Sequence, residues 1–136
     1  MLKKVLLILL VSCSAKLLAK DAVSIFSLLT TDESSGKVIQ TSGYIAFTPD
    51  GVFLYPYESD ASSQDYTREI AVLLPIETEI RVRENCDDSV VLITGRFFND
   101  DPKSRVFRQI TEVRNILMLN KNKGQENFVD CLRLDQ

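Results

Sequence analysis

The 136-residue chain has no histidine, no glycine-rich phosphate loop and no closely spaced pair of cysteines. Histidine is the commonest general base and a common metal ligand, so its absence excludes Ser-His-Asp and Cys-His catalytic arrangements. The lack of a CxxC pair argues against a zinc site. Acidic residues outnumber basic ones by 19 to 16, which argues against general nucleic-acid binding because that binding depends on phosphate neutralisation. We therefore expect a protein that is not an enzyme and that uses no metal or cofactor.

Residues 1–19 have the features of an export signal. Lys3 and Lys4 precede an uninterrupted apolar run over residues 5–11. This order matches the charged and apolar regions of a secretory signal peptide. The run is much shorter than the roughly 20 apolar residues that a membrane-spanning helix needs. We therefore expect the chain to leave the cytoplasm.

The segment LVSC at residues 10–13 resembles the lipobox of bacterial lipoproteins, in which a leucine and a small residue precede a cysteine. The resemblance implies cleavage before Cys13, acylation of Cys13 and a lipid anchor in the membrane. In such lipoproteins an aspartate after the cysteine favours the inner membrane. Ser14 stands there, which favours the outer membrane with the protein facing the periplasm. The alternative is cleavage after Ala19, which leaves a soluble periplasmic protein.

Two cysteines, Cys86 and Cys131, remain once Cys13 is lipidated or removed. An even pair in an oxidising compartment predicts a disulfide. The alternative is that one or both are free and buried, since unpaired cysteine behaves as a small apolar residue and is often buried.

The rest of the chain predicts a single domain over residues 24–136, because 45% hydrophobic and 26% charged residues are typical of a globular protein. Two segments rich in β-branched and aromatic residues, 37–47 and 52–57, flank a Pro-Asp-Gly turn, so they predict a β-hairpin. Further strands are predicted within 69–74, 89–98, 105–119 and 128–134, with a short helix after Ser24 and a polar loop over 58–68.

Residues 75–85 carry two conflicting patterns. Apolar and charged residues alternate with a period of two, which indicates a strand. Pro75 at the start, glutamates early and arginines late are typical of a helix. The residues alone leave both structures open.

The order of these segments resembles small bacterial envelope proteins of the OB-fold kind. The segments that carry the resemblance are GKVIQTSGYI (36–45), LYPYE (54–58), VVLITGRF (90–97) and ITEVRNILML (110–119). The resemblance implies a mainly β fold, a five- or six-stranded OB-like Greek-key barrel with a short N-terminal helix. It also implies a helix or irregular segment between the third and fourth strands, which favours the helix at 75–85. It names no catalytic site.

Tyr44, Tyr55 and Tyr57 are the candidate ligand-binding residues. OB-type barrels bind ligands across the face of their second and third strands, and aromatic rings stack on sugars or bases. Alternation places Tyr55 and Tyr57 on one face of the hairpin. The alternative is that these rings point inward and form barrel core.

Two carboxylate pairs, Asp87-Asp88 and Asp100-Asp101, flank one predicted strand. Paired carboxylates are suited to acid–base work or to calcium binding. Here each pair lies in a predicted turn, where aspartate is favoured because it hydrogen-bonds the local backbone. We therefore assign both pairs a structural role.

These observations predict a non-catalytic envelope lipoprotein that carries an OB-like binding or adaptor module. Its expected partners are the membrane, through the anchor at Cys13, and an envelope protein or a small ligand. The alternative is a soluble periplasmic structural or assembly accessory that acts through protein–protein contacts. Its contact regions would be the loop 58–68 and the basic segment 103–123.

Overall fold

The structure is a computed structural model that describes residues 21–99, 108–120 and 127–134. The predicted signal region 1–19, with Cys13, and the Asp100-Asp101 pair lie outside the described residues. Within them the elements, in chain order, are β1 (Asp21–Ala22), α1 (Ile25–Thr30), β2 (Val38–Thr48), β3 (Gly51–Tyr55), α2 (Glu58–Ser63), a 3₁₀ helix (Tyr66–Arg68), β4 (Ile70–Val72), α3 (Ile76–Asn85), β5 (Ser89–Asn99), β6 (Arg108–Asn120) and β7 (Asn127–Asp130).

Five strands close into a barrel in the order β2-β3-β4-β6-β5, with β5 pairing back onto β2. Every barrel pair is antiparallel except β4 with β6, which is parallel. Helix α3 connects the third and fourth barrel strands. This order and this helix are those of an OB-like Greek-key barrel, so the predicted fold class is confirmed. Outside the barrel, β1 pairs with β2 and β7 pairs with β6.

The predicted hairpin and N-terminal helix are both present. Strands β2 and β3 pair from Tyr44 opposite Tyr55 to Thr48 opposite Gly51, which adopts a positive φ of 145° at the turn. The Ser24 side chain accepts a hydrogen bond from the Phe26 backbone and caps α1. Local residue preferences therefore determine this part of the fold.

Residues 76–85 form a helix, as the resemblance implied and against the alternation of apolar and charged residues. Glutamates lie in the first turn of α3 and Arg83 in its last turn, which complements the helix dipole. The Arg83 guanidinium also donates to the Thr48 carbonyl oxygen at 2.7 Å and lies over the Phe47 ring. The alternation indicated the wrong structure. β4 pairs directly with β3 and β6, so the barrel closes without a strand from this segment.

Residues 58–68 are helical, where the sequence predicted a polar loop. Gln64 ends α2 in the left-handed conformation, and the Asp65 side chain caps the 3₁₀ helix by accepting from the Thr67 backbone. Asp60 is buried and pairs with Arg68 at 3.3 Å. These contacts are local caps and one ion pair, so they leave no periodic apolar pattern in the sequence.

The barrel interior is filled by aliphatic side chains that alternate along the strands. Gly95 lies where β5 and β6 approach most closely, and a Cβ there would lie 2.7 Å from Ile110 Cγ2 and 2.8 Å from the Thr111 carbonyl oxygen. The register between the two strands shifts at this point, because the single residue Gly95 faces the three residues 112–114 of β6. The bulge is therefore on β6, where Glu112 adopts a positive φ of 47°. The central buried residues are Ile39, Ile45, Val52, Leu54, Ile70, Val91, Ile93, Phe97, Ile110 and Ile116.

A disulfide joins Cys86, at the end of α3, to Cys131, directly after β7, with a Cα–Cα distance of 5.6 Å. The predicted pairing is therefore present in the structure. The Asn85 side-chain amide reinforces it by donating to the backbone carbonyls of Cys131 and Arg133, each at 3.0 Å. Together these contacts fasten the C-terminal strand to α3.

Replacing both cysteines, Cys86→Ala with Cys131→Ala, should lower the free energy of unfolding by about 4 kcal/mol. The bond spans a sequence separation of 45 residues, and a loop of that size restricts the unfolded chain by about this amount. Urea unfolding measures the difference. Reductant should lower the urea midpoint of the wild type to that of the double variant, and it should leave the midpoint of the double variant unchanged. Equal midpoints for oxidised wild type and double variant would contradict the expectation.

Candidate functional site

A cleft of about 490 Å³ opens on the outer face of the barrel, where β2, β5 and the end of β6 meet. The outer face follows from the alternation along β2, because Ile45 is fully buried inside the barrel and its neighbour Tyr44 points away. Tyr44 lies opposite Val90 across the β2–β5 pair. Both side chains line the cleft, together with Tyr57 and Leu119.

The cleft continues into a line of exposed and half-buried apolar side chains that crosses four strands, which we call the apolar row: Phe128, Leu119, Val90 and Tyr44. Leu119 lies opposite Phe128 in the β6–β7 pair, and Tyr44 opposite Val90 in the β2–β5 pair. Directly opposed residues of antiparallel strands project from the same face of a sheet. The register of β5 with β6 brings Val90 next to Leu119, since Val91 pairs with Met118. Phe128 is 59% exposed.

Tyr57 stands at the other side of the cleft, directly before α2. Its side chain is 56% exposed, and its ring packs against that of Phe26 on α1 with a centroid distance of 5.9 Å. The two helices therefore hold an aromatic pair beside the barrel face. An exposed ring supported on one side is available for contact on its other side.

Three carboxylates, those of Glu58, Asp87 and Asp88, border the tyrosines in the cleft. Asp88 accepts a hydrogen bond from the Phe47 backbone at 2.9 Å. This contact is structural, but it joins Asp88 to strand β2 and not to the local turn backbone that the sequence predicted. Partial burial, followed by the charges of Glu58 and Asp88, raises the pKa of Tyr44. This part of the cleft is therefore at negative potential.

Tyr55 lies apart from the cleft, although the sequence grouped it with Tyr44 and Tyr57. Its side chain is only 2% exposed, and its hydroxyl donates to a Glu69 carboxylate oxygen at 2.7 Å. Burial and this hydrogen bond raise the pKa of Tyr55. The strand alternation that grouped Tyr55 with Tyr57 does not extend through Pro56, because β3 ends at Tyr55.

A second, smaller cleft of about 230 Å³ lies on the outer face of β3 and β4. Phe53, Ala71 and Leu73 line it. These are the second and third barrel strands, the face on which OB-type barrels bind ligands. None of the three candidate tyrosines lies there, so the sequence pointed to residues on a different surface.

Sequence reasoning missed the contributions of Phe26, Val90, Leu119 and Phe128 to this surface. They come from four separate elements, and nothing in the spacing of the chain relates them. Alternation along β5 could have identified Val90 as an outward-facing residue, since exposed Val90 precedes buried Val91. Strand pairing, and not any motif, assembles the surface.

No protein-family model, curated protein or solved structure matches the chain. Among the described residues, no group of three or more Cys, Asp or Glu side chains is arranged to hold a metal ion. The described part of the chain also contains no helix of the length and apolarity that crossing a bilayer requires.

Tyr55→Phe should lower the free energy of unfolding by about 2 kcal/mol near neutral pH, because it removes a hydrogen bond to a carboxylate. Folding raises the pKa of Tyr55, so this contribution is complete below about pH 10, where unfolded tyrosine is still protonated. As the pH rises further the unfolded tyrosine ionises first, and the wild type loses its advantage. Urea unfolding over a series of pH values measures both effects.

Tyr66→Phe is the matched control, because Tyr66 is 75% exposed. It should leave the free energy of unfolding unchanged to within about 0.5 kcal/mol. If the difference in free energy of unfolding between wild type and Tyr55→Phe stays constant above about pH 10, the raised pKa of Tyr55 is contradicted.

Proposed function

We propose that this protein is a non-catalytic binding module of the bacterial cell envelope, held by acyl chains on Cys13 and facing the periplasm. The observation that carries the proposal is the cleft between β2, β5 and β6, with exposed Tyr57 and half-buried Tyr44 at its walls. Ligand sites are typically concave, mostly apolar and furnished with a few polar groups. The residues around this cleft have that composition.

The surface around the cleft supports binding because its apolar side chains are contiguous. Single exposed apolar residues are ordinary on protein surfaces, whereas contiguous patches with polar rims mark interaction sites. Here three members of the apolar row, Tyr44, Val90 and Leu119, line the same cleft as Tyr57, with carboxylates at its border. The ring of Tyr57 packs in turn on Phe26. Tyrosine contributes a large, rigid contact area at a small cost in side-chain entropy.

Two observations support the envelope location. The lipobox-like LVSC segment at residues 10–13 overlaps the end of the apolar run at residues 5–11, where a signal peptidase would cut. The bond between Cys86 and Cys131 is of a kind that forms and persists in oxidising compartments such as the periplasm. Ser14 after the lipobox favours the outer membrane.

A second candidate function is that of a soluble periplasmic accessory that assists assembly through protein contacts. The observation in its favour is a separate exposed apolar patch at the start of α3. Ile76 and Ile80 are 69% and 51% exposed, and their spacing of four residues places them on one face of the helix. Leu73, also exposed, lies three residues before the first residue of this helix.

Capture from a solubilised envelope fraction separates the two functions. The mature wild type should retain a small ligand or peptide, and Tyr57→Ala should reduce the amount retained about tenfold, because stacking on one aromatic ring contributes about this factor. Tyr66→Ala removes a more exposed tyrosine elsewhere and should have no effect. The assembly function would be favoured instead by capture of a stoichiometric protein partner. The Tyr57→Ala variant would retain this partner, and the double variant Ile76→Ser with Ile80→Ser would lose it.

Cys13→Ala should abolish incorporation of a labelled fatty acid and release the protein from membranes, because the thiol that carries the acyl chain is removed. Metabolic labelling and membrane fractionation in a bacterial host measure both. Ser14→Ala is the control, since it retains Cys13 and should remain labelled and membrane-bound. A wild-type protein that takes up no label would contradict the lipid anchor.

A further inference from the structure

The apolar row has the dimensions of a short extended peptide. It crosses β7, β6, β5 and β2, which are three neighbouring pairs of strands. Paired strands lie about 4.8 Å apart, so the row is roughly 14 Å long, and an extended chain that rises about 3.3 Å per residue covers it with four or five residues. A small ligand would contact only part of this length.

One end of the apolar row is acidic. Glu58, Asp87 and Asp88 border the cleft beside Tyr44, and the carboxylates of Glu58 and Asp88 contribute to the raised pKa of that tyrosine. None of the described residues that line the cleft is lysine or arginine. An anionic ligand would therefore be repelled here, and a cation would be attracted.

The aromatic rings favour the same charge. A lysine or arginine side chain is attracted to the face of a tyrosine ring within about 6 Å. Tyr57 and Tyr44 lie beside the carboxylates of Glu58 and Asp87 in one cleft. A cation bound there would therefore contact rings and carboxylates together, while an apolar side chain next to it would reach Val90.

We propose that the cleft and the apolar row bind a basic polypeptide segment of a partner protein. In this segment an apolar side chain packs on the apolar row, and a neighbouring lysine or arginine enters the acidic end of the cleft. The proposal rests on the proposed function, since it names the ligand class of the same cleft. Complementary charge and the length of the row select a basic peptide over a free amine, which would leave most of the apolar row exposed.

Three synthetic peptides test the proposal against the mature, oxidised protein. Each carries the same leucine and tyrosine residues, alternating with lysine, glutamate or serine. Backbone amide NMR shifts locate the site, and their titration gives the Kd. The lysine peptide should shift the amides of Tyr44, Val90 and Leu119 and bind at least about tenfold more tightly than the glutamate peptide. Added salt should weaken it, because exposed charges are screened.

Matched variants separate the contributions of ring and charge. Tyr57→Ala should weaken binding of the lysine peptide about tenfold, because packing and a cation–π contact are lost. Tyr66→Ala should leave the binding unchanged. The double variant Glu58→Gln with Asp87→Asn should weaken binding of the lysine peptide about threefold to tenfold. It should also reduce the dependence of this binding on salt. Glu33→Gln is the charge control, because the Asp32–Asn99 hydrogen bond holds the turn next to Glu33 at the far end of β5. Asp88 stays unchanged because it bonds the Phe47 backbone.

Three results would overturn the proposal. They are equal or tighter binding of the glutamate or serine peptide, shifts confined to residues outside the cleft and the apolar row, and no binding of the lysine peptide. The proposed function has its own test in the capture experiment. If Tyr57→Ala abolishes capture of an envelope ligand while the lysine peptide does not bind, only the basic-peptide inference fails. If capture does not depend on Tyr57, the proposed function and the basic-peptide inference both fail.

Discussion

Strand β2 pairs with β3 along one edge and with β5 along the other, and this double pairing closes the sheet into a barrel. The two pairings overlap at Tyr44, which lies opposite Tyr55 on one side and Val90 on the other. Closure separates an inner face, filled by aliphatic side chains, from an outer face that carries the cleft. It also brings Val90 beside Tyr44, although 46 positions of sequence separate them. The core and the candidate site therefore depend on the same backbone hydrogen bonds.

The disulfide links the stability of the fold to the candidate site. Strand β7 has only four residues, and isolated strand pairs of this size are marginally stable in water. The bond between Cys86 and Cys131, with the two hydrogen bonds from Asn85, holds the end of β7 against α3. Because β7 supplies Phe128, the same bond maintains one end of the apolar row. An oxidising compartment would therefore support the surface as well as the fold.

Sequence reasoning succeeded where structure is determined by neighbouring residues. The Ser24 cap and the Pro-Asp-Gly hairpin turn are both local effects of backbone preference. It failed at residues 58–68, where caps and one ion pair stabilise short helices without a periodic pattern. It was ambiguous at residues 75–85 because two local patterns competed, and barrel closure determined the outcome. The exposed faces of Ile76 and Ile80 show that α3 forms without burying a regular apolar stripe.

From the sequence by itself, turn chemistry determined the hairpin, and the resemblance to OB-type envelope proteins predicted the fold class. The pairing of Cys86 with Cys131 was also predictable, because these two cysteines remain once Cys13 is set aside and no distant contact has to be known. Only the tertiary structure decided which tyrosines share a surface. It buried Tyr55 against Glu69 and left Tyr57 exposed beside Tyr44. The physical reason is that strand alternation is a local rule that ends with the strand. The neighbours of a side chain on the outer face depend instead on the register of strands far apart in the chain.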